Sequence, residues 1–508
     1  MSITRPIPHK LRSAIDVNPH SSPELMGIKT NMWIDPKGVL RRRPGVKYKQ
    51  TVTQTNTLDE LCGLFRHTAD GYLLAGISNS NQDLYTHRFT YTSSTGFNTI
   101  TQSTSGYIRV LTGINPWQTR FYFSNSVNEF LVIHPHTRDI LIHNNSTGVD
   151  VAHRPASLAS GESIVSGAYV DGYLLLSLVT TGTSTYSNKL IFSDITNFTS
   201  WPSTNFITAS FQGDKIYNLS AGAGEFYIYN SNSIETWQND GQNPFSRRTG
   251  GALPYGSLQF SAEPARLENI FYYVDTEGRI IAFNGVETRQ IAPQASLYLQ
   301  TYTFNQFIGR QNMNGFFFEG KPYLHIMNAQ ESIIIDLQTE DFTVFSGEDA
   351  WQADIANIEA WDRRVIQSTD FGDGFITIGD TYLRAYEYGY YQDTLLGTDT
   401  TQNMFAGFRT GWITHDTQNR KRSDELIITC FRKEGETVPD VKVRFRDDGA
   451  DAWSDERTLE LSQFTGGMNV FKLYKNGMYR QRQYAIYTTS NSDFAVGEVS
   501  EKVTVLGV

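Results

Sequence analysis

Seven apolar segments begin at Tyr72, Phe130, Tyr173, Phe226, Phe271, Tyr323 and Phe375, separated by 43 to 58 residues. Most have one form: four to six apolar residues, a polar turn, then a second apolar run, as in FYYVDTEGRIIAFNG from Phe271. Such a pair reads as a β-hairpin. In the turn Asp275-Thr276-Glu277-Gly278, glycine supplies the positive φ that other residues resist. A repeat of about 40–50 residues holding two hairpins is what a β-propeller blade requires. A four-stranded blade cannot bury both faces alone, and radial packing covers them while leaving only short edges. About six or seven such blades fit between residues 51 and 395. The repeats share a pattern rather than identity, with neither a Trp-Asp ladder nor a kelch glycine pair, so a string of sandwiches is the competing arrangement.

Helix signals are sparse. APQASLYLQTYTFNQF at 292–307 and AWQADIANIEAWDRR at 350–364 are the two candidates, read as connectors. After residue 395 the texture becomes more polar and charged. Lys442, Arg444 and Arg446 alternate with Val441, Val443 and Phe445, the pattern of a half-exposed antiparallel sheet. The expected architecture is all-β. It has a basic N-terminal arm with the first strands over 1–50, a β-propeller over 51–395 and a C-terminal β-sandwich-like domain over 396–508.

The 508 residues are 39% hydrophobic, 19% charged and 13% aromatic, which places the chain in the globular class and leans it toward strands. No stretch approaches the roughly 18 uncharged apolar residues of a membrane span, and MSITRPIPHKLRSAID carries no apolar secretory core. Cys62 and Cys430, the two cysteines, match no metal or redox spacing and read as small buried hydrophobes in a reducing compartment. Residues 1–50 hold ten Lys/Arg against three Asp/Glu, a net of +7 that leaves −17 on the rest of a chain whose total is −10. A basic arm on an acidic body suggests that the arm meets something acidic, either phosphate or a neighbouring copy.

The motifs that invite a chemical reading all have a simpler one. His134 and His136 flank a proline, with His143 downstream, but no Cys or acidic cluster completes a metal set. DFGDG at 370–374 and DDGADAW at 447–453 hold paired carboxylates of the kind that hydrolyse sugars, and the second faintly resembles a sialidase aspartate box. Asp-Gly pairs in a β protein are ordinarily hairpin turns. GAGEF at 222–226 and TGG at 249–251 lie among strands, without the helix N-terminus that a phosphate cradle needs, and no G-x-S-x-G elbow occurs between strand and helix. No catalytic, metal or cofactor site is therefore expected.

The segment NMWIDPKGVLRRRPGVK at 31–47 remains. Its Lys37, Arg41, Arg42 and Arg43 are the candidates for subunit docking or phosphate contact, and Gly38, Pro44 and Gly45, with Gly278, are turn formers. A charged edge that suppresses strand pairing is the plain alternative, and docking onto an acidic neighbour is the favoured reading.

Several stretches resemble the tail hub or nozzle proteins of short-tailed bacteriophages, also described as packaged-DNA stabilisation proteins. They are NMWIDPKGVLRRRPGV, KLIFSDITNFTSWPSTNF at 189–206, EFYIYNSNSIETWQNDG at 225–241, the 297–339 segment and VKVRFRDDGADAWSDE with YRQRQYAIYTT. The resemblance implies a ring of copies, commonly six, below the portal and adaptor of a virion assembled in the host cytoplasm. Such a ring continues the double-stranded DNA channel, retains the genome and carries fibre, spike or needle proteins. It also implies no enzymatic activity. The reading from another class is a propeller glycoside hydrolase or a glycan-binding receptor protein.

Overall fold

A computed structural model of the chain describes residues 2–6 and 28–506, apart from 110–119, 301–311, 346–366 and shorter stretches between elements, among them 36–38, 52–57 and 395–400. Strands dominate. Four-stranded antiparallel sheets follow one another along the chain, each from consecutive strands paired hairpin by hairpin. One comprises Arg120–Phe123, Glu129–Ile133, Ile140–Asn144 and Val149–His153. The next comprises Glu162–Val170, Tyr173–Thr180, Thr185–Phe192 and Phe206–Thr208. The same order recurs in the 216–253, 265–290 and 312–345 sheets. Upstream, Leu58–Arg66, Gly71–Ser78 and Asp83–Thr92 begin a similar sheet.

The last of the series is built differently. Gln367–Phe371, Gly374–Gly379 and Tyr382–Glu387 supply three strands, and the fourth is Gly45–Thr51 from the start of the chain. Gln367–Phe371 and Gly374–Gly379 also pack on Leu58–Arg66, so the last sheet meets the first.

Neighbouring sheets bury their faces against each other. Leu131, Ile133 and Ile140 of one sheet share a core with Ile164, Leu174, Leu176 and Ile191 of the next. Ala168, Leu175 and Leu190 join Leu219, Phe226 and Ile228 in the following seam. These runs, apolar on both faces, match sheets covered on both sides. The repeat read from the sequence thus marks mostly four-stranded blades, and its tight turns behave as local chemistry dictates. Gly278 has φ 78°, its N–H donates to the Asp275 carbonyl at 3.0 Å, and Asp275 Oδ1 accepts from the Glu277 and Arg279 amides. Gly278→Ala places a Cβ in the left-handed region and is expected to cost about 1 kcal/mol, seen as a lowered thermal midpoint.

Beyond residue 400 two large sheets share one core. One contains Lys421–Phe431, Met468–Tyr474 and Ala495–Val505, and the other contains Ala406–Arg409, Val441–Asp447 and Arg482–Thr488. Leu426, Ile428, Phe471 and Val499 of the first face Phe408, Val441, Val443 and Ile486 of the second. Cys430 lies buried in this core and Cys62 lies buried between the 58–92 and 120–153 sheets, and no disulfide joins them. Of the helix candidates, 292–307 forms a helix at Pro293–Tyr298, and 350–364 lies outside the described residues. No helix among the described residues is long and apolar enough to cross a membrane.

Candidate functional site

The basic N-terminal segment runs through three sheets. Ile28–Thr30 pairs antiparallel with Ala406–Arg409 on one side and parallel with Asp341–Phe345 on the other. The 312–345 blade and a C-terminal sheet thereby become one continuous nine-stranded sheet. Met32–Ile34 and Leu40–Arg42 form a hairpin whose second strand pairs with Ala495–Val505, at Leu40↔Val496 and Arg41↔Ala495. Gly45–Thr51 then completes the last blade. At the chain's start, Ser2–Pro6 also lies against Ala495–Val505, with Ser2 opposite Thr504.

Alternation along the hairpin sends neighbouring side chains into different cores. Met32 and Leu40 enter the C-terminal core. Trp33 enters the 312–345 blade, with its ring 4.8 Å from Phe318 and 5.3 Å from Tyr323. Asn31 turns the chain between Ile28–Thr30 and Met32–Ile34 with φ 55°, a conformation asparagine tolerates better than most residues. Its amide N–H donates to Val344, its Nδ2 to the Phe405 carbonyl, and its Oδ1 accepts from Arg43 Nε at 2.7 Å. Lys29 is buried against Asp341, beside a second buried pair, Lys321–Asp336 at 2.6 Å. Burial pushes the Lys29 ammonium below its ordinary value, and the Asp341 carboxylate opposes that shift.

The three arginines occupy different environments. Arg41 is partly exposed, 3.5 Å from Asp35 and 3.6 Å from Asp493. Arg42 is 1% exposed and donates to the carbonyls of Met404, Ser490 and Ser492. Arg43 is fully buried, donates to Asn31 and to the Pro44 carbonyl, and lies over the Phe345 ring at 5.2 Å. The donors of Arg42 and Arg43 thus point into their own chain. Lys37 and Gly38 lie outside the described residues. Pro44 is buried and leads into Gly45, where a Cβ would stand 2.1 Å from the Gln392 carbonyl oxygen. Gly45→Ala forces two backbones apart at the blade-closing strand. A loss of about 2 kcal/mol, measured by urea denaturation, is expected.

Sequence reasoning missed Lys29, Asn31 and Trp33 as members of this site. The one local signal was asparagine ahead of an apolar strand, because Asp341, Val344, Phe405, Phe318 and Tyr323, which they meet, lie far along the chain.

The histidine motif resolves into separate environments. His143 Nδ1 is 2.6 Å from Asp150 Oδ1, and Thr86 of the neighbouring blade donates to the same carboxylate at 2.8 Å. Burial pushes His134 down to about 3 and His136 to about 4. No group of three metal-ligating side chains occurs among the described residues. DDGADAW is a turn: Asp448 and Gly449 have positive φ, and Asp447 pairs with Arg482. Asp370 sits in a hairpin opposite Phe375.

These features describe an internally spliced scaffold in which Lys29, Arg42, Arg43 and Arg482 are directed to partners within the chain. A sequence model of the family described as bacteriophage P22 Gp10, beta-propeller, matches residues 36–339. No curated protein matches the chain. Among solved structures, one described as YCF48 bound to D1 peptide aligns over 68% of this chain and 99% of its own, at 11% identity and a TM-score of 0.35. The family match spans more than half of the sequence, and the chain belongs to the bacteriophage P22 Gp10 beta-propeller family of phage stabilisation proteins, which are structural virion proteins and not enzymes.

Proposed function

We propose that this chain forms the tail hub, or nozzle, of a short-tailed phage. A ring of copies, six in this reading, continues the DNA channel below the portal and adaptor, helps retain the packaged genome and anchors fibres, spikes or a needle. It assembles in the host cytoplasm and ends in the virion tail. The four-stranded sheets between residues 58 and 387 are then seven blades of one propeller, closed by Gly45–Thr51, and the two sheets around the C-terminal core are a β-sandwich. Residues 1–50, 51–395 and 396–508 are the corresponding segments of the chain.

The observation that carries this reading beyond family membership is the splice at residues 28–51. A hub must transmit force between the proteins above and below it. A chain whose first strands complete both a blade and a C-terminal sheet cannot let the two units drift apart without breaking strand pairing. The acidic body suits a DNA conduit, since like charges limit adhesion to the phosphate backbone. Arg41 and Lys37 are the members of the basic run that we assign to docking on an acidic neighbour.

Mass measurement and particle imaging of the full chain at low and high salt, with and without the portal–adaptor proteins, test the proposal. A ring with an open axial channel, formed alone or on the adaptor, is expected. A chain that stays monomeric with the adaptor present overturns it.

A further inference from the structure

We propose that the outer mouth of the seam between the 120–153 and 162–208 blades docks an extended segment of a partner polypeptide by strand addition. That segment carries apolar side chains at alternate positions and a carboxylate near one end. The inference stands on the geometry of the rim and does not depend on the hub reading.

The seam itself is rigid. Ile164 N–H donates to the Thr137 carbonyl at 2.7 Å and Tyr122 Oη to the Gly167 carbonyl at 2.6 Å. A Cβ on Gly167 would meet Ile133 Cδ1 at 2.4 Å, so the Ile133 side chain of one blade fills the space that glycine leaves on the other. Residues opposite each other in antiparallel strands share a face. Val151 is opposite Ile142, which packs on the seam core, and Phe206 is opposite Ile191, which lies within it. Both therefore continue the seam outward, one from each blade, and they are 56% and 48% exposed. Lys189, opposite Thr208, shares their face and holds its ammonium over the Phe206 ring at 4.6 Å. Among the described residues no carboxylate forms an ion pair with it.

Both rims of this mouth are edge strands, Val149–His153 and Phe206–Thr208, each paired with one neighbour among the described residues. Proteins ordinarily guard such edges with charges, bulges or very short strands; Phe206–Thr208 is three residues long, and other blades of this chain use charge or a bulge. Phe245–Leu253 carries Arg247 and Arg248, and its pairing shifts register between Glu235 and Trp237. Thr288–Gln290 carries Arg289, ion-paired with Glu340. Val149–His153 instead pairs without a register shift and exposes Val151 and Ala152. Its one carboxylate, Asp150, is turned inward to Thr86 and His143, which fixes the strand in place. Open backbone edges call for an extended chain rather than a helix. Val151 and Phe206 call for apolar side chains at alternate positions, and Lys189 for an acid.

The test uses a fluorescein-labelled peptide of about six residues, alternating valine and threonine and ending in aspartate, titrated into the full chain and followed by anisotropy. Saturable binding is expected, weakened about tenfold or more by Val151→Lys or by Phe206→Ser. Lys189→Glu is expected to weaken the aspartate peptide and spare one ending in asparagine. Val151 and Phe206 are half exposed, so thermal unfolding of the variants is expected to match the parent, which separates lost docking from lost fold. Equal binding of a peptide with proline at its centre, or binding indifferent to all three substitutions, overturns the proposal. Self-association of the chain alone that Val151→Lys abolishes also overturns it, by making a second copy the occupant.

Discussion

Arg42→Ala is expected to destabilise the chain by about 4 kcal/mol, read as a lowered urea midpoint. The guanidinium is buried and donates to three carbonyls, those of Met404, Ser490 and Ser492. Alanine leaves all three acceptors in a site closed to bulk water, and each unsatisfied buried group costs about 1–3 kcal/mol. The contributions do not add fully, because the loop holding Ser490 and Ser492 can relax toward solvent. Arg42→Lys keeps the charge but replaces a planar fork by a single ammonium, and it is expected to recover less than half of the loss. The damage should also have an address. Arg42 ends the strand that pairs with Ala495–Val505, and Gly45–Thr51 follows three residues later as the fourth strand of the last blade. Limited proteolysis of the Arg42→Ala chain is therefore expected to cut first between residues 36 and 57. Cleavage there at the parental rate, with parental stability, would show that the arginine does not hold the splice.

The blades were legible in the sequence for the reason the splice was not. Ile270–Val274 and Ile280–Phe283 meet across a turn that their own residues specify, so hydrophobic pattern and turn chemistry suffice. The alternation at Lys442, Arg444 and Arg446 was legible in the same way, and Val441 and Val443 are indeed buried opposite them. Nothing local announces that Lys29 faces Asp341 or that Arg42 reaches Ser492. Three consecutive arginines look alike to composition, yet here one is partly exposed and two are buried. Their difference comes from strand alternation together with partners contributed by the far end of the chain. A second buried cluster was hidden for the same reason. Glu501, Tyr479, Tyr484, His415 and Arg482 look unremarkable one by one, and only pairing across the two C-terminal sheets brings them together.

That cluster supports the other large expected effect. Glu501 Oε2 accepts from Tyr479 Oη at 2.7 Å and lies 2.9 Å from His415 Nε2, and Oε1 accepts from Tyr484 Oη at 2.5 Å. Glu501 belongs to one sheet of the core and Tyr484 to the other, so the carboxylate bridges them. Beside it Arg482 makes a two-pronged contact with Asp447, at 2.6 and 2.8 Å, between the rings of Phe445 and Tyr479. Burial raises the Glu501 carboxyl, but hydrogen bonds from His415, Ser423 and Tyr484 outweigh it and hold the group below its usual range. Glu501→Gln turns one acceptor into an NH₂ facing hydroxyl and imidazole donors, and a loss of about 3 kcal/mol is expected. The pH dependence separates the charge from the packing. A carboxyl depressed by folding contributes stability that is complete above its unfolded value, about 4.3, and is lost as pH falls through the lower folded value. The parent should therefore lose stability over that acidic window, while Glu501→Gln, already weaker at neutral pH, should show a shallower acid decline. Parallel declines in the two proteins would mean that Glu501 holds the sheets together by shape alone.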